Sequence, residues 1–328
     1  MADHKSFQAK DFKSHPLAFN GTLQTILARY WWQLPDLEAQ QRHLIELADG
    51  DKLLVYEYRP SQWHEGQRIA VLVHGLVGCY QSNYMIRMTK KLNRMGINVF
   101  RVNLRSNGPG LKWAKNPYHA GRSSDTLEVI KFISKTYPRS PITQLGYSLG
   151  ANITLKMAGE FQQQLYNLDS VVAVSPPANI TESVERMLKM GRIFNQYFVN
   201  QLKKEAWQRH KLHHPNSEFE LPAKMNIVDF DHYYLAPRIG YKSAYEYYKN
   251  ESAENYMQDI QVPVLLMHSN DDPVISGKYL TRFKTPSHWD IVVTDKGGHV
   301  GFLDSRDFLN NFRWMDTTIL NWLDFHFT

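Results

Sequence analysis

Cysteine is almost absent from this chain: Cys79 is the single one among 328 residues, so no intrachain disulfide can form and nothing calls for an oxidising compartment. Long apolar runs are missing as well. No stretch approaches the roughly 18 consecutive apolar residues of a membrane span, and the leading residues Met1–Ser6 are polar and lack the apolar run of a signal peptide. A cytoplasmic location is therefore expected. No internal repeat or low-complexity segment breaks the chain. Charge of one sign is also scarce: the net +6 is small and dispersed, which argues against nucleic acid and allows at most a weak association with an anionic lipid surface. What is abundant is core material, 43% hydrophobic and 13% aromatic. The length would allow two domains, but one sheet domain carrying an insertion fits as well.

The densest signal is Gly146-Tyr147-Ser148-Leu149-Gly150. It follows the apolar strand pattern of 142–147 and precedes a helical run from Ala151. A Gly-x-Ser-x-Gly at a strand-to-helix turn is the nucleophile elbow of α/β-hydrolases. The turn is strained, and glycines on either side leave room for it. It lifts the serine above the sheet and sets the Leu149 amide at a helix N-terminus, where a developing oxyanion meets fixed donors and the positive end of the helix dipole.

Hydrophobic periodicity organises the rest. Extended runs are expected at 52–58, 68–74, 97–102, 142–147 and 170–175, with helices at 82–94 and 125–137 between them. This alternation implies an α/β fold, a mostly parallel sheet with helices on both faces. The rhythm stops at Pro176-Pro177 and resumes at Val262-Pro263. The expected organisation is an N-terminal arm (1–50) packed on the core, a core of 51–176 and 259–328, and an inserted helical cap (177–258). A strand at 289–294 and a terminal helix from about 305 to 325 complete the core. An apolar stripe in the cap, Met187, Met190, Phe194, Tyr197 and Phe198, would line an acyl pocket or dock the cap.

A serine hydroxyl needs a base, and the base needs an orienting acid. In this fold they follow in the order serine, acid, histidine, on loops at the carboxyl ends of later strands. His299, set among Gly297, Gly298 and Gly301, is the histidine between the last strand and the last helix. For the acid there are two candidates, Asp271 and Asp272. Pro273 forces its predecessor into an extended conformation, which favours Asp272 and leaves Asp271 a turn-forming role. The second oxyanion donor is expected in His74-Gly75-Leu76-Val77-Gly78, at the Leu76 amide or alternatively that of Val77, with His74 structural. No metal is expected: His210, His213 and His214 lack companion ligands. Cys79 is expected to be a small buried residue, and Tyr30-Trp31-Trp32 to pack the arm onto the core.

Taken together, these motifs resemble the YheT-like branch of the α/β-hydrolases, the AB-hydrolase-4 family, over most of the chain. The resemblance rests on Asn20–Ile26, His74–Gly78, Gly146–Asn152 and Gly297–Phe302. It also rests on a signature running from Asp231 through Gly240-Tyr241, Glu246-Tyr247-Tyr248 and Ser252 to Asp271-Asp272. Tyr118-His119-Ala120-Gly121 is similar to a further family segment whose role is not evident from sequence. The resemblance implies cofactor-free hydrolysis of a small-molecule, lipid-derived ester through Ser148, Asp272 and His299, or transfer of the acyl group to an alcohol. A ligand-binding relative without turnover is the remaining alternative. One departure stands out: Ser106-Asn107-Gly108 replaces the family's usual glycine after Arg105, in a loop expected to line the pocket.

Overall fold

The computed structural model describes residues 7–31 and 33–327, with Asn310 described by its backbone alone. In chain order its elements are α1 (Gly21–Tyr30), β1 (Gln41–Glu46), β2 (Lys52–Tyr58), β3 (Ile69–Val73), α2 (Asn83–Arg94), β4 (Asn98–Asn103), α3 (Ser123–Thr136), β5 (Ile142–Tyr147), α4 (Leu149–Glu160) and β6 (Leu168–Val174). Then come α5 (Ile180–Met190), α6 (Arg192–His213), α7 (Ile227–Phe230), α8 (Ala236–Arg238), α9 (Ala244–Glu251), β7 (Val264–Ser269), β8 (Trp289–Thr294) and α10 (Trp314–Phe327).

The strands form one sheet in the order β1-β2-β4-β3-β5-β6-β7-β8, antiparallel at β1/β2 and β2/β4 and parallel from β4 to β8. Strand β3 is buried along its whole length, so its residues alternate between two cores. Ile69, Val71 and Val73 face α3, α4 and the helices after β6. Ala70 and Leu72 face α2 and α10, where Met85, Met88, Trp314 and Trp322 cover them. The path from β3 runs through α2 to β4 on one side, then through α3 to β5 on the other. The order therefore reverses beside β3, and Val73 at its end lies next to Gly146. Ligands bind at the carboxyl ends of parallel strands where the order reverses.

One expectation needed correction. The terminal helix starts at Trp314, not near 305: Leu303 and Arg313 form a β-bridge, Phe308–Asn310 a single 3-10 turn, and Asn311 and Phe312 adopt left-handed backbone that a helix cannot contain. The segment 1–50 reaches into the sheet. Its edge strand β1 pairs with β2, and its helix α1, capped by the Asn20 side chain, crosses the active end of the sheet. Trp31 packs edge-on against His15 and Phe312, while Trp32 lies outside the described residues. Between β6 and β7 the described chain holds helices and turns but no strand. Asn152 of α4 pins the end of that region, through Glu251 O and Ala253 N–H. No described helix is long and apolar enough to cross a membrane.

Candidate active site

Ser148 has φ +54° and ψ −122°, a backbone conformation that costs energy in any residue with a side chain. Its neighbours show why the turn needs glycines. A Cβ on Gly146 would lie 2.3 Å from Gly150 O, and one on Gly150 would lie 2.4 Å from Val73 O. Gly75 has the same task across the gap, since a Cβ there would come within 3.0 Å of Ser148 Cβ.

The histidine loop is built as tightly. Gly297 and Gly298 have positive φ, and a Cβ on Gly298 would strike Gly21 O of α1 at 2.3 Å. The His299 amide donates to Thr25 Oγ1 of α1 at 2.8 Å, and Asp271 Oδ1 accepts the Gly298 amide at 2.9 Å. The ring then lies with Nε2 2.8 Å from Ser148 Oγ and Nδ1 2.8 Å from Asp272 Oδ2. Asp272 is fully buried, and its other oxygen accepts the amides of Val274 and Ile275 at 2.8 Å each. Burial alone would raise the Asp272 pKa, but the His299 charge and the hydrogen bonds outweigh it and hold the carboxyl below its ordinary value. An ionised carboxylate only accepts, so Nδ1 carries the proton and Nε2 is left to accept from Ser148. Asp271 stays in the turn, accepting from Ser269 Oγ as well.

In the loop after β3, Gly75 N–H donates to Tyr84 Oη at 2.9 Å, Val77 N–H to Tyr118 Oη at 3.0 Å, and Gly78 N–H to Gly75 O at 3.1 Å. The Leu76 amide has no partner among the described residues, and Leu149, first in its helix, has no intrahelical acceptor. His74 is held on both nitrogens, Nδ1–H donating to Gly75 O and Nε2 accepting the Leu104 amide; burial pushes its pKa down to about 4.

Two spaces meet at Ser148. The first is a small pocket of about 100 Å³ under α5 and α6, with apolar walls that include Leu149, Ile180, Val184, Met187 and Leu202. Two carboxyls also reach it, half-buried Glu205 and buried Asp231, each pushed up to about 7 by desolvation. The second is an open cleft of about 690 Å³ between α1 and α6, lined by Thr25, Arg29, Tyr30, Ile193, Tyr197 and His299. Ser106, Asn107 and Gly108 line neither: Ser106 Oγ donates to Ala114 O, Asn107 O accepts from Asn103 Nδ2, and Gly108 lies against Cys79, which is only partly buried. Among the described residues no group of three or more His, Cys, Asp or Glu is placed to hold a metal ion. His210 and His213 instead donate to Ser217 O and Leu111 O.

Sequence reasoning left the signature residues and the 118–121 segment without roles, and the structure supplies contacts for them. Tyr248 donates to Asp231, Tyr247 Oη accepts the Ala120 amide, and Ser252 Oγ accepts the Ile180 amide. They tie α9 to the cavity walls. The signal was in the sequence, as tyrosines and a serine at fixed spacing, but their partners lie 17 to 127 residues away.

Sheet order, elbow and loop positions define an α/β-hydrolase. The chain belongs to the Hydrolase_4 family, described as serine aminopeptidase S33, whose family model matches residues 64–295. It is 27% identical over 310 residues to the protein named "Putative esterase YheT" of Escherichia coli (strain K12), covering 93% of this chain and 90% of that one. To "Monoacylglycerol lipase ABHD2" of Danio rerio it is 25% identical, over 86% of this chain and 69% of the relative. Among solved structures, an esterase of Pyrococcus furiosus, Pf2001, superposes with a TM-score of 0.59 at 14% identity, covering 98% of both chains.

Proposed function

We propose that this protein is a serine carboxylic-ester hydrolase that works through an acyl-enzyme and prefers short-to-medium acyl groups. The observation that carries the reading is the unbroken chain of hydrogen bonds from Asp272 through His299 to Ser148, beside two amides with no acceptor of their own, Leu76 and Leu149. As Ser148 Oγ attacks the ester carbonyl, His299 Nε2 takes its proton, and Asp272 stabilises the imidazolium. The oxyanion accepts from the Leu149 and Leu76 amides. Collapse returns the proton from His299 to the departing alcohol. Water, deprotonated by the same ring, then releases the acid and frees Ser148.

The relatives named esterase and monoacylglycerol lipase support ester chemistry on a small, lipid-derived substrate. A peptide with a free amino terminus is a poorer fit to the smaller pocket, whose walls are largely apolar and a poor match for a charged ammonium group. Residues 177–258 are read as a cap whose α5 and α6 roof the acyl side, with the open cleft serving the alcohol and water. An acceptor alcohol entering that cleft in place of water would give acyl transfer from the same intermediate.

A fluorophosphonate should modify one serine, mapped to Ser148, and p-nitrophenyl esters of graded length should be cleaved best between butanoate and octanoate. Labelling elsewhere, or no labelling of folded protein, would remove the reading. Adding an alcohol during turnover and measuring the new ester against free acid separates transfer from hydrolysis.

A further inference from the structure

We propose that Tyr118 is a positioning residue for the oxyanion loop: its hydroxyl, oriented by Glu205 of α6, holds Val77 so that the Leu76 amide stays turned toward Ser148. The proposal rests on the ester-hydrolase reading and adds to it a link between the helices over the site and the chemistry beneath them.

Val77 is the first observation. Its φ is +51°, in the left-handed region where a β-branched side chain clashes with its own backbone. Such a residue stays there only if its surroundings hold it. The Tyr118 hydroxyl does so, by accepting the Val77 amide at 3.0 Å. The second observation is where that hydroxyl sends its proton. A phenol has one hydrogen, and if that hydrogen pointed at the loop it would oppose the Val77 N–H. Glu205 Oε2, 3.2 Å away, takes it, which leaves an oxygen lone pair for the amide. The third is the pattern of satisfied donors. Tyr84 holds the amide of Gly75 and Tyr118 holds that of Val77, so the residue between them has its N–H left over. Two tyrosines from opposite sides thus fix the two peptides that flank the unengaged donor.

The second anchor of this arrangement lies among the helices after β6. Tyr118 and Ala120 belong to one short segment, which Glu205 of α6 and Tyr247 of α9 hold at its two ends. A displacement of α6 therefore reaches the Leu76 amide through two hydrogen bonds. Tyr118 is buried and Glu205 half-buried, so water does not replace the Tyr118 hydroxyl as the partner of Val77 cheaply.

The test compares wild type with Tyr118→Phe, Glu205→Leu, Glu205→Gln and the Tyr118→Phe/Glu205→Leu double variant. Three measurements are made: kcat and KM on p-nitrophenyl butanoate, the melting temperature, and hydrogen–deuterium exchange at the Val77 amide. Removing a direct oxyanion donor costs about 10²–10³ in kcat, so displacing one should cost roughly tenfold to a hundredfold, with KM within about twofold. Exchange at Val77 should quicken by about tenfold or more in Tyr118→Phe, because its acceptor is gone. Glu205→Leu should move the same quantities in the same direction. Glu205→Gln, whose amide oxygen still accepts, should recover most of that loss. The double variant should be no worse than Tyr118→Phe, since both act along one path.

A Tyr118→Phe protein with kcat within twofold of wild type, or with unchanged exchange at Val77, overturns the proposal. So does a lowered melting temperature with KM raised and kcat intact, which is what a merely structural or substrate-contacting tyrosine would give. If wild type cleaves no ester but Val77 loses protection in Tyr118→Phe, the ester reading falls while the tether stands.

Discussion

At the scale of single residues, the two neighbouring aspartates differ in what their oxygens already hold. Asp272 Oδ1 is committed to two backbone amides. In Asp272→Asn the amide oxygen must stay with those donors, which points the NH2 at His299 Nδ1. The imidazole must then accept on Nδ1 and carry its proton on Nε2, where it can no longer take one from Ser148. On the ester-hydrolase reading kcat should fall by roughly 10⁴ with the fold intact, measured by steady-state kinetics beside a melting curve. Asp271→Asn keeps an acceptor for the Gly298 amide and should lose less than about tenfold. The reverse order would move the acid to Asp271. The preference for Asp272 was legible because Pro273 restricts its predecessor whatever surrounds it. The choice between the Leu76 and Val77 amides was not. It depends on Tyr118, 41 positions away from the amide it engages, and no local pattern encodes that contact.

At the scale of elements, strands and helices of the core were legible where burial enforces a strict period, as in β3 and in the Met85, Met88 and Leu92 face of α2. Edge strand β1 was missed because it is half exposed and its sequence, Gln-Arg-His-Leu-Ile-Glu, carries little apolar pattern. The cap stripe was read as one face and is two. Gly191 ends α5, in a place where a Cβ would meet Pro273 O at 2.8 Å, and the chain turns there. Met187 faces the smaller pocket, Met190 is largely exposed, and Phe194 and Tyr197 border the open cleft. If α5 roofs the acyl side, Val184→Phe should shorten the accepted chain. Each excluded methylene removes about 0.8 kcal/mol, close to fourfold, so the octanoate-to-butanoate ratio of kcat/KM should drop by roughly tenfold or more. An unchanged ratio would place the acyl chain in the open cleft instead.

At the scale of the whole molecule, buried charge sets two opposite pH limits. Asp316, fully buried between Arg87 and Lys91, joins α10 to α2. Burial would raise its pKa, but the two cations prevail and hold it at about 2. A lowered carboxyl stabilises the fold above its unfolded pKa, and that stability is lost as the pH falls toward 2. Asp316→Asn should therefore be less stable than wild type at pH 6, with the difference shrinking below pH 4. Asp231 behaves the other way. Burial, only partly offset by the Tyr248 hydroxyl, raises its pKa to about 7, so its contribution is complete below about pH 4 and fades as the pH climbs through 7. Asp231→Asn should make the loss of stability between about pH 4 and 7 shallower in urea titrations, with Glu205, also raised to about 7, carrying what remains. An equally steep loss in the variant would show that another group controls that limb. Neither carboxyl could be assigned a pKa direction from sequence, because the direction depends on whether cations share the burial.

The seat of His299 on Thr25 has a consequence in time. The two residues are 274 positions apart, and the elbow around Ser148 lies between them. A ribosome releases Ser148 with β3 and β5 already made, yet His299, which on the ester-hydrolase reading would activate it, lies 151 residues further on and docks on α1. On that reading the serine lacks its proton acceptor until then, so the nascent chain is chemically silent until the His299 loop meets α1. Ribosome-bound chains stalled short of β8 should take up no fluorophosphonate, and reactivity should appear only once the segment carrying His299 has cleared the exit tunnel.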